Sequence, residues 1–417
     1  MAEVQPIPAL RYEPDVVGPL GSVTAPPYDV IDADQRRALL ARSPYNVVAI
    51  DLPVADEGDP YEQAAAMLAG WREERALVDE AEPAFWALSQ DYSGPDGKAM
   101  TRHGIFARVR VTDYGAGTIR PHERTQPGPK EDRLRLTRAT KHNLSPIFSL
   151  YGAADAWPLL GAAVEAPPWA EVSDDDGTTH RLWRVSDPET IAAVKSALAP
   201  AELLIADGHH RYETARTYAE EIGGEGGHRY TLMCLTSLED PGLTVFPTHR
   251  LLSNLEEPAR QEALGSGLKR LFEIEEVETG RLQPEEADDV GAFGYIDSHF
   301  RRAFRLRLRD PAILDEVMGD RSPAYRQLDA AILEKLVLEG ILGMSEADVE
   351  AKRGIGYAKS VDDVLAALDG GYQAAFILRP TPVEQVRAVA DAGETMPPKS
   401  TYFFPKLLSG MVFNPLA

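Results

Sequence analysis

Cysteine is almost missing from this chain of 417 residues, which carries one, Cys234. A lone thiol forms no intramolecular disulfide, so no covalent staple holds the fold. It lies in the apolar run 230–235 with no activating base beside it, and reads as a small buried residue. Basic residues are also short: 43 Lys and Arg face 66 Asp and Glu, a formal net charge of -23. Gripping a nucleic-acid backbone by charge needs a basic face, so no nucleic-acid partner is expected. No window nears the roughly 18 consecutive apolar residues of a membrane-spanning helix, so no membrane partner is expected either. The opening MAEVQPIPALRYEP has no basic stretch ahead of an apolar one, does not read as a signal peptide, and points to a cytoplasmic location.

Several common signatures are missing too. The chain has no GxxxxGK[ST] loop, no GxGxxG turn, no GxSxG elbow, no HExxH pair and no paired cysteines. A nucleotide would therefore need a less common cradle. A zinc site is disfavoured although His122, Glu123, His142, His209 and His210 are all present.

What is there is an α+β pattern. Hydrophobic residues make up 44% and charged residues 26%, which excludes wholesale disorder. The length allows two or more cores at about 100–200 residues each. Apolar periodicity predicts helices over 34–41 (Asp34 as cap), 60–78, 129–141, 188–198 and 209–221, and strands over 46–52, 84–88, 104–111, 145–150, 182–185, 202–206 and 230–236. After residue 253 helical runs at 256–271, 325–342, 361–368 and 383–391 alternate with strands at 272–277, 293–296, 304–308 and 374–378. Three regions are expected: an N-terminal α+β region (1–115), a core holding the polar constellations (116–253) and a C-terminal α/β region (254–417). The run Asp174-Asp175-Asp176-Gly177 reads as a solvated turn.

Three stretches could carry chemistry. In ELLIADGHHRYETARTY an apolar strand meets a turn and a helix begins at once. The start of a helix offers unpaired N–H groups and partial positive charge to an anion. Gly208 permits close backbone approach, while His209, His210 and Arg211 add donors suited to phosphate oxygens. Asp207 could hold Mg²⁺ or orient a histidine. A plain strand–turn–helix junction with surface histidines has the same pattern. In IRPHERTQPGPKEDR, His122-Glu123 offers a carboxylate able to act as general base, with Arg124 and Lys130 as anion partners; a solvated polar loop is the other reading. In PPKSTYFFPK, Lys399 with Ser400 and Thr401 could line an anion pocket, or the segment could simply cover a core.

Read together, APPYDVI (25–31), ERTQPGPKEDRL (123–134), NLSPIFSLY (143–151), ADGHHRYETA (206–215) and GETMPPKSTYFFPKLLSG (393–410) resemble the bacterial and archaeal family known as domain of unknown function 1015. The likeness runs nearly end to end. Within it, two motifs are similar to those of the ParB/sulfiredoxin-like free-serine kinases. That resemblance implies a mixed-sheet ParB/sulfiredoxin-like nucleotide-binding core with added N- and C-terminal regions. It implies Glu123 as general base beside His122, and Asp207, Gly208, His209, His210 and Arg211 as the phosphate cradle. Small serine kinases hold these motifs closer together, whereas roughly 80 residues separate them here.

The expected activity is transfer of a phosphoryl group from ATP (or ADP), with Mg²⁺, to the hydroxyl of free L-serine. Thr125, Lys130, Lys399, Ser400 and Thr401 are the expected substrate grips. A ParB-type nucleotide-binding switch or adaptor and a metal-dependent phosphohydrolase are the alternatives.

Overall fold

The computed structural model describes residues 2–417 except 96, 124–126, 153–154 and 286–288, and gives no side-chain placement for 127–129 and 350. The chain divides into two compact units. Unit 1 takes in residues 1–121, 125–244 and 405–417, and unit 2 takes in 122–124 and 245–404.

Unit 1 is built on a nine-stranded mixed sheet. Its strands are β1 (Val4–Gln5), β2 (Phe85–Ser93), β3 (Ala99–Arg110), β4 (Ile119–Arg120), β5 (Ile147–Tyr151), β6 (Ala170–Ser173), β7 (Thr179–Val185), β8 (Leu203–Asp207) and β9 (Tyr230–Ser237). They lie in the order β4-β8-β5-β9-β3-β2-β7-β6, with β1 beside β3. The β4–β8 and β5–β9 pairs are parallel and the other pairings are antiparallel. A strand buried on both faces is mostly apolar and can stand in the middle of such a sheet. β9 (YTLMCLTS) is buried along nearly its whole length and pairs on both sides. Cys234 sits there, 1% exposed, and burial pushes its thiol up to about 12, so it stays a packed thiol.

Four helices of unit 1 matter for the site: α1 (Pro60–Glu73), α2 (Pro127–Thr140), α3 (Pro188–Leu198) and α4 (His209–Ile222). Proline in the first turn and an aspartate cap open both α1 and α3; Asp59 accepts from Tyr61 N–H at 2.8 Å and Asp187 from Thr190 N–H at 2.8 Å. α2 packs against both α1 and α4. Two expectations change here. Residues 46–52 do not form a strand; Val48–Asp51 is a short helical turn, because the buried Asn46 side chain accepts the Val48 N–H at 3.0 Å and starts a turn. The helix expected from 34 is capped by Asp32, in a reciprocal box with Gln35.

Unit 2 holds a six-stranded, wholly antiparallel sheet. Its strands are β10 (His249–Leu252), β11 (Phe272–Val277), β12 (Ala292–Asp297), β13 (Ala303–Leu308), β14 (Ile355–Ala358) and β15 (Ala374–Ile377), in the order β11-β13-β12-β15-β10-β14. Leu251, Ile296, Ala303, Val364, Ala375 and Ile377 pack in its core, Val364 coming from α5 (Val361–Asp369). The run 325–342 is not one helix. It breaks into Pro323–Arg326, Asp329–Leu333 and a π-helical stretch, Glu334–Glu339. Among the described residues no helix is long and apolar enough to cross a membrane.

The junction between β8 and α4 depends on Gly208. Its φ is +98°, and a Cβ there would lie 2.9–3.1 Å from the Arg211 guanidinium. Gly208→Ala is expected to lower stability by about 1–3 kcal/mol, read from urea unfolding, through backbone strain and displacement of Arg211.

Candidate functional site

In unit 1 the site starts where β8 ends. The pairing of β8 with β5 slips between Ile205 and Asp207, a bulge that re-aims the chain before the helix. α4 opens immediately after Gly208, a residue with no side chain to cap it. His209 is 7% exposed and His210 partly exposed, so these are not simple surface histidines. Arg211 donates to the Pro146 carbonyl and stands 3.6 Å from the Asp207 carboxylate. Lys406, from the last stretch of the chain, reaches the same carboxylate at 3.2 Å.

Asp207 is thus neutralised by two cations. A Mg²⁺ ion on this carboxylate would meet both, so the residues present do not fit a protein-held Mg²⁺ there. Among the described residues no group of three or more His, Cys, Asp or Glu side chains is placed to hold a metal ion.

Behind the turn lies a polar shell that the sequence motifs contain but do not single out. Asp51, 4% exposed, accepts hydrogen bonds from the Ser145 hydroxyl and from Ser409 Oγ at 3.1 Å, and pairs with Arg133 at 3.2 Å. Arg133 also donates to the Asp51 carbonyl at 2.6 Å and lies 4.0 Å over the Tyr28 ring. Burial pushes the Tyr28 phenol up to about 12, although Arg211 and Arg133 pull the other way. A cleft open to solvent is lined by Asp51, Arg133, Ser145, Arg211, Thr214 and neighbouring groups. Lys130 lies at 3.9 Å from Glu213 of α4, and its carbonyl accepts from Thr214 Oγ1 at 3.4 Å.

Arg102 is a further missed residue. It is 1% exposed, donates to Gln90 Oε1 at 3.0 Å and to the Pro405 carbonyl at 2.5 Å, and burial lowers its guanidinium to about 10. It therefore fixes the segment that carries Lys406. The only local signal for it was a charged residue in an otherwise strand-like run.

The second group of expected residues lies in unit 2. His122 is 1% exposed; its Nε2 is 2.9 Å from Thr401 Oγ1, and its carbonyl accepts from Met396 N–H at 2.7 Å. Glu123 pairs with Met396 in a parallel bridge, and its Oε1 accepts the Lys399 backbone N–H at 3.1 Å. Lys399 holds a left-handed backbone, φ +57°, which turns that N–H toward the carboxylate. Ser400 is 6% exposed and its hydroxyl donates to the Pro397 carbonyl at 2.6 Å, a structural use of that group. His122, Glu123, Lys399, Ser400 and Thr401 are therefore brought together, whereas Asp207–Arg211 and Lys130 belong to unit 1. Thr125 and Arg124 lie outside the described residues.

Nearby in unit 2, Arg250 is buried and donates to the Thr248 carbonyl at 2.6 Å and the Pro398 carbonyl at 3.2 Å, with the Tyr357 ring at 5.2 Å. Burial lowers its pKa, while Tyr357, Glu334 and Glu123 oppose that shift. Burial pushes the Glu334 carboxyl up to about 7, against the pull of Arg250.

Two stability tests follow from these buried charges. Asp51→Ala should cost roughly 3–5 kcal/mol in urea unfolding, because Arg133 is left buried beside unfilled donors. Glu334 holds its proton more tightly when folded than unfolded, so its contribution is complete below pH 4.5 and is lost as pH rises through about 7. Glu334→Gln should thus be neutral at pH 4.5 and more stable than the parent at pH 8, by on the order of 2 kcal/mol.

A family model described as Protein of unknown function (DUF1015) matches residues 4–331. No curated protein matches the chain. Among solved structures, a variant free serine kinase in complex with AMP is similar at 13% identity and TM-score 0.37, over 72% of this chain and 87% of that one. A conserved hypothetical protein from Pyrococcus furiosus follows at 16% and 0.36, over 72% and 90%. SbnI with C-terminal truncation from Staphylococcus aureus matches at 11% and 0.35, over 74% and 81%. Likeness this distant assigns no activity.

Proposed function

The chain belongs to the DUF1015 family, and from that premise we propose that it is a small-molecule kinase that moves a phosphoryl group from ATP (or ADP) to the hydroxyl of free L-serine. The observation that carries this reading is the start of α4. A helix of 14 residues begins directly after a left-handed glycine, with Arg211 and Lys406 gathered there and a cleft behind. Helix N–H groups and two cations make a seat for phosphate oxygens. A phosphate arriving there displaces the Asp207 carboxylate as the anion those cations face.

The mechanism assigns the phosphates to the backbone at 208–211 with Arg211 and Lys406, and the proton to Glu123. The serine oxygen forms a bond to the terminal phosphorus as the bond from phosphorus to the bridging oxygen breaks. The hydroxyl proton passes to Glu123, and the shortened nucleotide leaves with the bridging oxygen's electron pair. Phosphoryl transfer asks mainly for positioning and charge neutralisation, and the two cations supply charge for the phosphates. Glu123 suits the base because one of its oxygens accepts the Lys399 backbone N–H, which orients the carboxylate. The ParB/sulfiredoxin-like character of the core belongs to the same proposal and is supported by the motif resemblance. No step depends on a metal held by the protein.

The full chain incubated with ATP or ADP, Mg²⁺ and L-serine should yield O-phosphoserine by mass spectrometry. Glu123→Gln should cut kcat by about 10²–10⁴-fold with nucleotide Kd unchanged. Arg211→Met should instead raise nucleotide Kd by about tenfold or more. Nucleotide binding with no transfer to any acceptor would make the protein a switch, and phosphate release without an acceptor would make it a phosphohydrolase.

A further inference from the structure

Unit 2 contains a partly open cavity, about 560 Å³ with the solvent space at its mouth included, that the mechanism above leaves without an occupant. Met318, Arg321, Tyr325, Glu334, Met396 and Pro398 are among its lining residues. Two charges of its lining, one of each sign, make no side-chain hydrogen bond among the described residues: Glu334 and Arg321. Glu334 opens the π-helical stretch Glu334–Glu339 and is half-buried, yet among the described residues it forms no hydrogen bond and no ion pair within 4 Å. The cation beside it in sequence, Lys335, is taken by Glu339 at 2.5 Å. Arg250 turns its donors to backbone carbonyls.

Arg321 is the complementary case. Its guanidinium lies 4.9 Å from the Tyr325 ring centre and meets acids only at 3.8 Å (Glu394) and 4.0 Å (Asp320), beyond hydrogen-bond length. Its five N–H donors form no side-chain hydrogen bond among the described residues. A half-buried carboxylate that feels Arg250 only from beyond ion-pair distance, and a guanidinium whose acids stand beyond hydrogen-bond length, line one cavity and complement a compact molecule that carries both an ammonium and a carboxylate.

We propose that this cavity binds an α-amino acid as its zwitterion, the ammonium on Glu334 and the carboxylate on Arg321. The π-helical turn is consistent with this, since such turns displace one residue out of helical register and are frequent at functional sites. The raised pKa of Glu334 also fits a group whose charged form awaits a cation. The cavity wall at Met396 is the residue that pairs with Glu123. Naming the occupant as the phosphoryl acceptor rests on the kinase reading; the charge pattern of the cavity does not. The carboxylate grip then belongs to Arg321 rather than to Lys130, Lys399, Ser400 or Thr401.

Equilibrium binding to the full chain, without nucleotide, tests this with four probes: L-serine, L-alanine, 2-aminoethanol and L-lactate. Both amino acids should bind, and each singly charged analogue at least about tenfold more weakly. Glu334→Gln and Arg321→Met should each raise the L-alanine Kd by about tenfold or more, without lowering Tm or changing nucleotide Kd. Absence of amino-acid binding, equal binding of the singly charged analogues, or an unchanged Kd in either variant would overturn the proposal. Intact amino-acid binding without phosphoserine formation sinks the kinase reading and leaves the cavity assignment supported. Phosphoserine formation with an unchanged serine KM in Glu334→Gln does the reverse.

Discussion

A carboxylate taken out of water needs donors on every side, and in unit 1 Asp51 obtains them from stretches far apart in the chain. Arg133 comes from α2, Ser145 from the loop before β5, and Ser409 from the last segment. Any of these failing to arrive would leave a buried charge short of partners, at a cost comparable to a large part of a domain's net stability. The pair with Arg133 therefore locks α2, and α2 packs on α4. The orientation of the helix that begins at His209 is in this way tied to one buried ion pair.

The same economy governs Lys406. Gln90 accepts from Arg102 and donates to the Lys406 carbonyl at 3.1 Å, while its amide also meets His180 Nδ1 at 3.2 Å. His180 Nε2 is 2.8 Å from Asp174, which also accepts the N–H groups of Asp176 and Thr178. The acidic run at 174–177 is thus more than a solvated turn. Asp174 ends a buried chain of hydrogen bonds leading to the backbone beside Lys406, and buried networks of this kind hold a single geometry when all members are satisfied.

Local patterns announced much of this architecture. The limits of Pro188–Leu198 and Val383–Asp391 follow from periodicity and from proline at or just before the first turn, and the strand Phe272–Val277 was legible as well. The strand–glycine–helix junction at 203–222 was equally legible, because few residues other than glycine accept the required backbone. Where local and long-range preferences competed, the pattern misled. NVVAIDL has strand composition, but the Asn46 side chain and the demand for Asp51 at the buried network make it a turn. The apolar run 325–342 has helical composition throughout, yet Gln327 and the π-helical stretch break it.

For the sites, the residue types could be read in order along the chain, and their grouping could not. His122-Glu123 and the DGHHR turn stand out because adjacent unusual residues are a one-dimensional signal. Asp51, Arg102, Tyr28 and Ser409 are ordinary in their local surroundings and acquire meaning from partners tens to hundreds of residues away. The sequence alone determined the backbone freedom at Gly208, the shortage of disulfides and basic surface, and most helix and strand positions, since these depend on near neighbours. Tertiary structure decided which charges are neutralised, as Asp207 is by Lys406 and Arg211, and which line a cavity, as Glu334 and Arg321 do. Burial and pairing are properties of contacts between distant segments, and no local pattern encodes them.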